Sequence, residues 1–166
     1  ENGKEYPLRG RECSSEQMPF IKEKFGTYDQ FAKANMEDVF GEEKLKKALH
    51  LQASTFATSF IENNSDKPWK IKKLPNAVQF SSTNGIIIDD FNNDNNLDIA
   101  LSGNMFGSEV ETPRNDAGNG NLLLGNGFGN FTALTINKSG FYTPGDVKGM
   151  NKIVIDGVLH LAIINN

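Results

Sequence analysis

The amino-acid sequence predicts a mainly β fold: about two four-stranded repeats over 51–166, preceded by loop and short helices over 1–50. Two observations carry that reading. From about His50 onward, β-branched, aromatic and apolar residues come in short runs separated by Asn, Gly, Asp and Pro, the pattern of strands between tight turns. The same region also repeats itself. "ENNSDKPWKIKKL" (62–74) is similar to "LGNGFGNFTALTI" (124–136) at an offset of 62, and "NGIIID" (84–89) is similar to "NKIVID" (151–156) at an offset of 67. A period in the sixties with four strands per period has the build of propeller-type blades. Closed propellers take about four to eight blades, so two copies make a fragment of a larger ring.

The elements follow in chain order. Residues 1–13, "ENGKEYPLRGREC", show no periodicity and read as loop or extended chain. Pro19 opens "PFIKEKF", where a first helical turn tolerates proline. Thr27 and Gln30 form a capping box ahead of "YDQFAKAN", and Gly41 stops "MEDVF". "EEKLKKAL" carries Glu42–Lys46 and Glu43–Lys47 at i,i+4, the spacing of helix-supporting ion pairs. Such short helices form only by packing on something, here expected to be the β part. Eight strands are then predicted, at 52–62, 69–74, 84–89, 97–103, 120–125, 130–136, 147–155 and 158–164.

Charge is uneven. The chain carries a net charge of −4; residues 1–75 are close to neutral at +1, and residues 76–166 hold −5. An acidic β region argues against nucleic acid as a partner and suits a cation site. No apolar run reaches the roughly 18 residues of a membrane helix, so no transmembrane segment is expected here. The first residue is Glu1, with no basic-then-apolar leader behind it, which suits a processed product or a piece of a longer chain. Cys13 is the only cysteine, so neither an internal disulfide nor a cysteine-based zinc site is expected.

The densest chemistry lies in "DDFNNDNNLD" (89–98), eight of whose ten residues are Asp or Asn. Counting Asp90 as position 1, positions 3, 5, 7 and 9 are Asn92, Asp94, Asn96 and Asp98. Alternate residues of a tight loop can face one centre, and every donor offered is oxygen or amide. That chemistry selects a hard cation, calcium before magnesium, because calcium accepts six to eight oxygens in a tolerant geometry. The expected ligands are the side chains of Asp90, Asn92, Asp94 and Asp98, with the backbone carbonyl of Asn96 and water. The loop is not an EF-hand. Position 6 is Asn95 instead of Gly, position 12 is Leu101 instead of Glu, and the flanks are strand-like. Asn95 suits the turn because Asn tolerates left-handed backbone. Asp89 is expected outside the coordination sphere, capping the loop through backbone N–H groups.

"DDFNNDNNLDIALSGN" followed by "LLLGNGFGNFTAL" resembles an FG-GAP/VCBS-type repeat, whose motif runs D-x-N-x-D-G-x-x-D, an apolar strand, then N-x-G-x-G-x-F. The wider stretches "RGRECSSEQMPF", "GSEVETPRNDAGNGNLLLGNGFGNF" and "FYTPGDVKGM" resemble the C-terminal part of large bacterial VCBS-repeat proteins of the ASPIC/UnbV type. The resemblance implies β-propeller blades, a calcium-holding loop, and an exported parent at the cell surface, in the periplasm or outside the cell. Asn95 departs from the motif glycine. In the second copy, "IDGVLHLAI" (155–163) keeps only Asp156 of the carboxylates. One structural calcium is therefore expected, not two.

The remaining polar features read as structure. Glu109, Glu111, Arg114 and Asp116 cluster in "GSEVETPRND" (107–116). They form either a partner surface or an ion-paired loop, Arg114 with Glu111 or Asp116, and the second is favoured. Trp69 in "KPWKIKK" lies on a half-exposed strand and is a candidate partner contact, with a glycan or nucleic-acid platform as the less favoured reading. His50, His160 and Cys13 lack partners at any motif spacing, and Ser14, Ser15 and Thr27 read as caps. No nucleophile elbow, H-E-x-x-H or P-loop occurs. The functional expectation is a non-enzymatic, calcium-stabilised binding or scaffolding module with a protein or glycan partner. The alternative is a non-catalytic or partial segment of a surface hydrolase or lyase, or of a glycan-binding protein. Unpaired strand edges of an open ring add an expectation of self-association.

Overall fold

The computed structural model describes residues 3–63 and 65–166. It divides into two compact units, Glu1–Ser54 and Thr55–Asn166. The composition change near His50 falls close to that division.

The first unit holds five short helices: α1 (Arg11–Gln17), α2 (Phe20–Lys24), α3 (Tyr28–Lys33), α4 (Met36–Phe40) and α5 (Glu42–Lys47). Their starts follow from their caps. The Thr27–Gln30 capping box is closed in both directions ahead of α3. A second box, Asn35–Asp38, opens α4, and Gly41 at φ 84° ends it. These helices are too short to be stable alone, and the unit supplies its own apolar cluster of Ile21, Phe25, Phe31, Ala34 and Val39. Phe25 and Phe31 meet edge to face at 5.6 Å. On α5, Lys46 pairs with Glu42 at 2.7 Å and lies 4.0 Å from Glu43.

Helix α1 begins inside the stretch read as loop. Its buried side is Ser14 and Ser15, so no apolar period announces it. Nor are these serines caps. Ser14 Oγ donates to the Arg9 carbonyl and Ser15 Oγ to the Glu12 carbonyl, while the N-cap position is Gly10, with no side-chain bond.

The second unit is antiparallel β. Strands β3 (Gly85–Asp89), β4 (Asp98–Ser102), β5 (Asn121–Gly125) and β6 (Phe131–Ala133) form a four-stranded meander in that order, and β1 (Ser59–Glu62) with β2 (Lys70–Lys73), and β7 (Val147–Ile155) with β8 (Val158–Asn165), form two hairpins. All eight predicted strands are present, but their grouping differs from two four-stranded repeats: one four-stranded sheet stands between two two-stranded ones. The repeat explains this. The offset of 62 relates β1–β2 to β5–β6, and the offset of 67 relates β3 to β7. The three sheets do not close into a ring. Two strands are shorter than read. Residues 52–58 stay outside β1, and the stretch after β6 turns into a short helix, α6 (Ile136–Ser139), ended by Gly140 at φ 65°.

Central β4 is buried along its whole length. Ile99, Leu101 and Leu123 pack with Leu74 and Val78 into the core, with Phe60, Phe131 and Ala133 against it. Phe60 and Phe131 meet edge to face at 5.3 Å, which lays the β1–β2 hairpin against the sheet. On the other side, Asn84 Nδ2 donates to the Val147 carbonyl at 2.8 Å, and a Cβ on Gly85 would strike Met150. The β7–β8 turn is Asp156–Gly157 with φ 51° and 79°, a two-residue turn of the type that matches strand twist. It leaves no room for an ion-holding loop in the second copy.

Candidate cation-binding loop and its surroundings

The 90–98 segment links β3 to β4. Asn93 and Asn95 have φ 59° and 68°. These two left-handed residues coil the loop, and Asn bears that conformation better than most side chains. The coil turns the side chains at alternate positions onto its own backbone. Asp90 Oδ1 and Asn92 Oδ1 both accept from the Asp94 N–H, at 3.1 and 3.0 Å, and Asp90 Oδ2 accepts from the Asn95 N–H at 2.8 Å. Asp94 Oδ1 accepts from the Asn96 N–H at 2.8 Å, and its Oδ2 from Asn92 Nδ2 at 2.9 Å. Asp90, Asn92 and Asp94 are thus brought together around one turn. The Asn96 side chain leans toward the β5–β6 turn, where a Cβ on Gly127 would meet its Oδ1.

Asp98 differs from the others. It is 0% exposed. Its Oδ2 accepts from the Phe91 N–H at 3.0 Å and its Oδ1 from the Gly125 N–H at 2.8 Å. One carboxylate therefore joins the start of the loop, the start of β4 and the end of β5. This bracing is invisible in the spacing that nominated Asp98 as a ligand.

The donor set fits a hard cation. Asp90, Asn92 and Asp94 offer oxygens with lone pairs left beyond their N–H bonds, and a divalent ion would neutralise neighbouring carboxylates. Among the described residues no three His, Cys, Asp or Glu side chains form a metal-ready group. Such a loop would contribute amide and carbonyl oxygens beside its carboxylates.

Asp89 lies beside the loop as expected, with Oδ1 accepting from the Asp90 N–H at 2.9 Å. Sequence reasoning missed its other partner, Lys152 Nζ on β7, at 2.9 Å. The Lys152 ammonium, then the Asp90 N–H, holds the Asp89 carboxyl below the ordinary carboxylate value of 3.8. Asp94 is lowered too, by the Asn92 amide first and then the Asn96 N–H, and Asp146 by Lys148. A carboxylate lowered on folding binds protons more weakly in the native state than in the unfolded chain. Its stabilisation is complete above the unfolded value and is lost as pH falls through the folded one. The melting temperature is therefore expected to stay level from pH 7 to about 5 and to fall below about 4. Calorimetry across that range checks this, and a melting temperature that holds or rises down to pH 3 would contradict it.

The 107–116 segment is an ion-paired loop. Met105 and Asn115 exchange two backbone hydrogen bonds at 2.9 Å, closing its base. Arg114 Nε donates to Asp116 Oδ2 at 2.9 Å, and the guanidinium lies 4.6 Å from the centre of the Phe106 ring. The Glu109 carbonyl accepts from the Thr112 N–H and hydroxyl. Glu111 is exposed. Trp69 is 67% exposed, just ahead of β2. The His50 ring nitrogen Nε2 is 3.1 Å from the Leu45 carbonyl, and Cys13 is exposed.

A buried polar network behind β4 was not foreseen. Asn104 is 1% exposed. Its Nδ2 donates to the carbonyls of Gly118 and Gly145 at 2.9 and 2.7 Å, and its Oδ1 accepts from the Gly118 N–H and from Ser81 Oγ. Ser102 and Thr143 share a hydroxyl–hydroxyl bond beside it. The sequence gives no signal for these contacts, since partners 14 to 41 residues apart follow no short motif.

No helix among the described residues is long and apolar enough to cross a membrane. Comparison with protein-family models, with curated proteins and with solved structures returned no match.

Proposed function

We propose that the chain is a non-enzymatic binding or scaffolding module of a larger exported bacterial protein, built of propeller-type blades of the FG-GAP/VCBS kind and stabilised by one calcium ion in the 90–98 loop. The observation that carries the reading is the coil at Asn93 and Asn95, which gathers the oxygens of Asp90, Asn92 and Asp94 at alternate positions. The partner would be a protein or glycan meeting the loops and the exposed Trp69. Arg114 is less suited to a ligand, because Asp116 and Phe106 already hold it.

The test is thermal unfolding in EDTA, followed by excess calcium or excess magnesium. Calcium at 100 times its dissociation constant adds about 2.7 kcal/mol to a state that alone binds it. That corresponds to a rise in melting temperature of roughly 5–10 °C. Magnesium is expected to give less. Asp94→Ala should unfold at nearly the wild-type temperature in EDTA and lose the calcium response. No response of the wild type to either ion would make the loop a polar turn and remove the cofactor from the proposal.

A further inference from the structure

Strand β8, VLHLAIIN, is eight residues long and contains no Asp, Glu, Lys, Arg, Pro or Gly. It pairs with β7 alone, so its other edge carries no strand among the described residues. An open edge is a template for another strand, and proteins guard it with charge, above all lysine, or by keeping it short. Elsewhere in the unit those guards are present. β2 has lysine at three of its four positions, β1 has four residues ending in Glu62, and β6 has three residues. β8 has neither guard. The hairpin around it is apolar and exposed at Ile153, Val154, Val158 and Leu159.

The internal repeat shows what such an edge takes. β7 is the counterpart of β3 at the offset of 67, and β8 follows β7 in a hairpin as β4 follows β3. The edge of β4 away from β3 is covered by an antiparallel strand, β5, whose residues NLLLG are also uncharged. The matching edge of β8 therefore suits an antiparallel, apolar, uncharged strand. β8 is itself such a strand. Each chain has a net charge of −4, yet two β8 strands bring no like charges face to face.

We infer that two copies of the chain associate by antiparallel pairing of β8 with β8 about a two-fold axis, each copy offering the same surface. The turn fixes the register. A two-residue turn closes on a hydrogen-bonded pair, here Ile155 and Val158. Bonding then alternates along β8, so Val158, His160 and Ala162 face β7, while Leu159, Leu161 and Ile163 turn their N–H and C=O groups outward. In the dimer Leu161 meets Leu161 of the second copy, and Leu159 meets its Ile163. These three side chains share one face of the strand, so the two-fold joins them into one apolar stripe. The inference narrows the self-association expected of open strand edges to one edge and one register. It shares no residue with the 90–98 loop and does not depend on calcium.

The experiment is sedimentation velocity on the whole chain, in calcium and in EDTA, with amide hydrogen exchange at low and high concentration. A contact of one strand pair belongs with the small, transient interfaces, so a dissociation constant of about 10–100 µM is expected in both buffers. At high concentration the Leu159, Leu161 and Ile163 amides should slow, while those of His160 and Ala162, already bonded to β7, should not change. Leu161→Lys sets two lysines directly opposite each other and Leu161→Glu two glutamates, and each should weaken the dimer at least about tenfold. Mixed together, the two variants should pair to within about threefold of the wild type. Mixing does not repair a misfolded chain, so recovery separates lost pairing from lost fold. Val110→Lys, on a fully exposed residue outside the hairpin, should dimerise as the wild type does. Should either Leu161 variant fail to fold, the exchange pattern of the wild type decides alone. The inference is overturned if the wild type stays monomeric up to about 500 µM, well above the expected constant. It is also overturned if protection falls on another strand, or if folded Leu161 variants dimerise singly as the wild type does or stay apart when mixed.

Discussion

Asn104→Ala is expected to lower the stability of the β unit by about 3–5 kcal/mol, because each buried group left without its partner costs roughly 1–3 kcal/mol. The carboxamide is the common partner of four groups: the Gly118 N–H, the carbonyls of Gly118 and Gly145, and the Ser81 hydroxyl. Asn104 itself is 1% exposed, while Ser81, Gly118 and Gly145 are partly buried and Ser81 keeps the Gly103 carbonyl, so the loss falls mainly on the two glycines. The site cannot collapse onto the gap. A Cβ on Gly118 would already meet the Gly103 carbonyl at 2.6 Å, and one on Gly103 would meet the Ser82 carbonyl at 2.5 Å. Asn104→Asp is no remedy, because it sets a second oxygen against two carbonyls. Urea denaturation gives the loss as a lower midpoint at unchanged slope, and hydrogen exchange of the β4 amides gives it locally. A loss under about 1 kcal/mol, the net worth of one ordinary hydrogen bond, would show that the network is dispensable.

How much of this was legible depends on the range over which each feature is encoded. Elements written in consecutive residues were readable. All eight strands show in their apolar runs and turn residues, and the Thr27–Gln30 box shows in its spacing. Asn95 was read as a left-handed turn residue and has φ 68°. The Asn35–Asp38 box stands at the same spacing and is equally legible. Features that depend on distant pairing were not readable. The repeat offsets fix a period but not where the sheets are cut, so the grouping of strands came only from the hydrogen-bonded order. Lys152 reaches Asp89 across 63 positions, and Asn104 reaches Gly145 across 41. Helix α1 starts three residues ahead of the helical stretch that the sequence predicts from Ser14, because it buries serines where the pattern rule looks for apolar groups. In the loop itself, alternation picks out Asp90, Asn92, Asp94 and Asp98 alike. It cannot tell the three that coil around a turn from the one that is buried.

That distinction gives the second large effect. In EDTA, where no divalent ion contributes, Asp98→Ala is expected to cost about 2–4 kcal/mol, from one buried and one partly buried N–H group left without an acceptor. The two groups are the Phe91 N–H at the head of the loop and the Gly125 N–H at the end of β5. Asp98 is fully enclosed and its bond to the Gly125 N–H is buried, so water cannot take over that bond without separating the strands. Gly125 cannot move toward the gap freely, because its Cα side packs against the Leu97 carbonyl. Asp98→Asn should recover only part of the loss, since one amide oxygen can serve one N–H while the amide nitrogen faces the other. Asp94→Ala is the comparison within the same loop. Its carboxylate is exposed, and its partners are Asn96 and Asn92, which can both turn to solvent. In EDTA the two variants should therefore separate widely, Asp98→Ala unstable and Asp94→Ala near the wild type. With calcium added, Asp94→Ala should fall behind by the full response of the wild type. If Asp98→Ala matched the wild type in EDTA and differed only in calcium, its carboxylate would be a ligand and not a brace. A deficit in EDTA that remains in calcium makes Asp98 the post on which the loop is built.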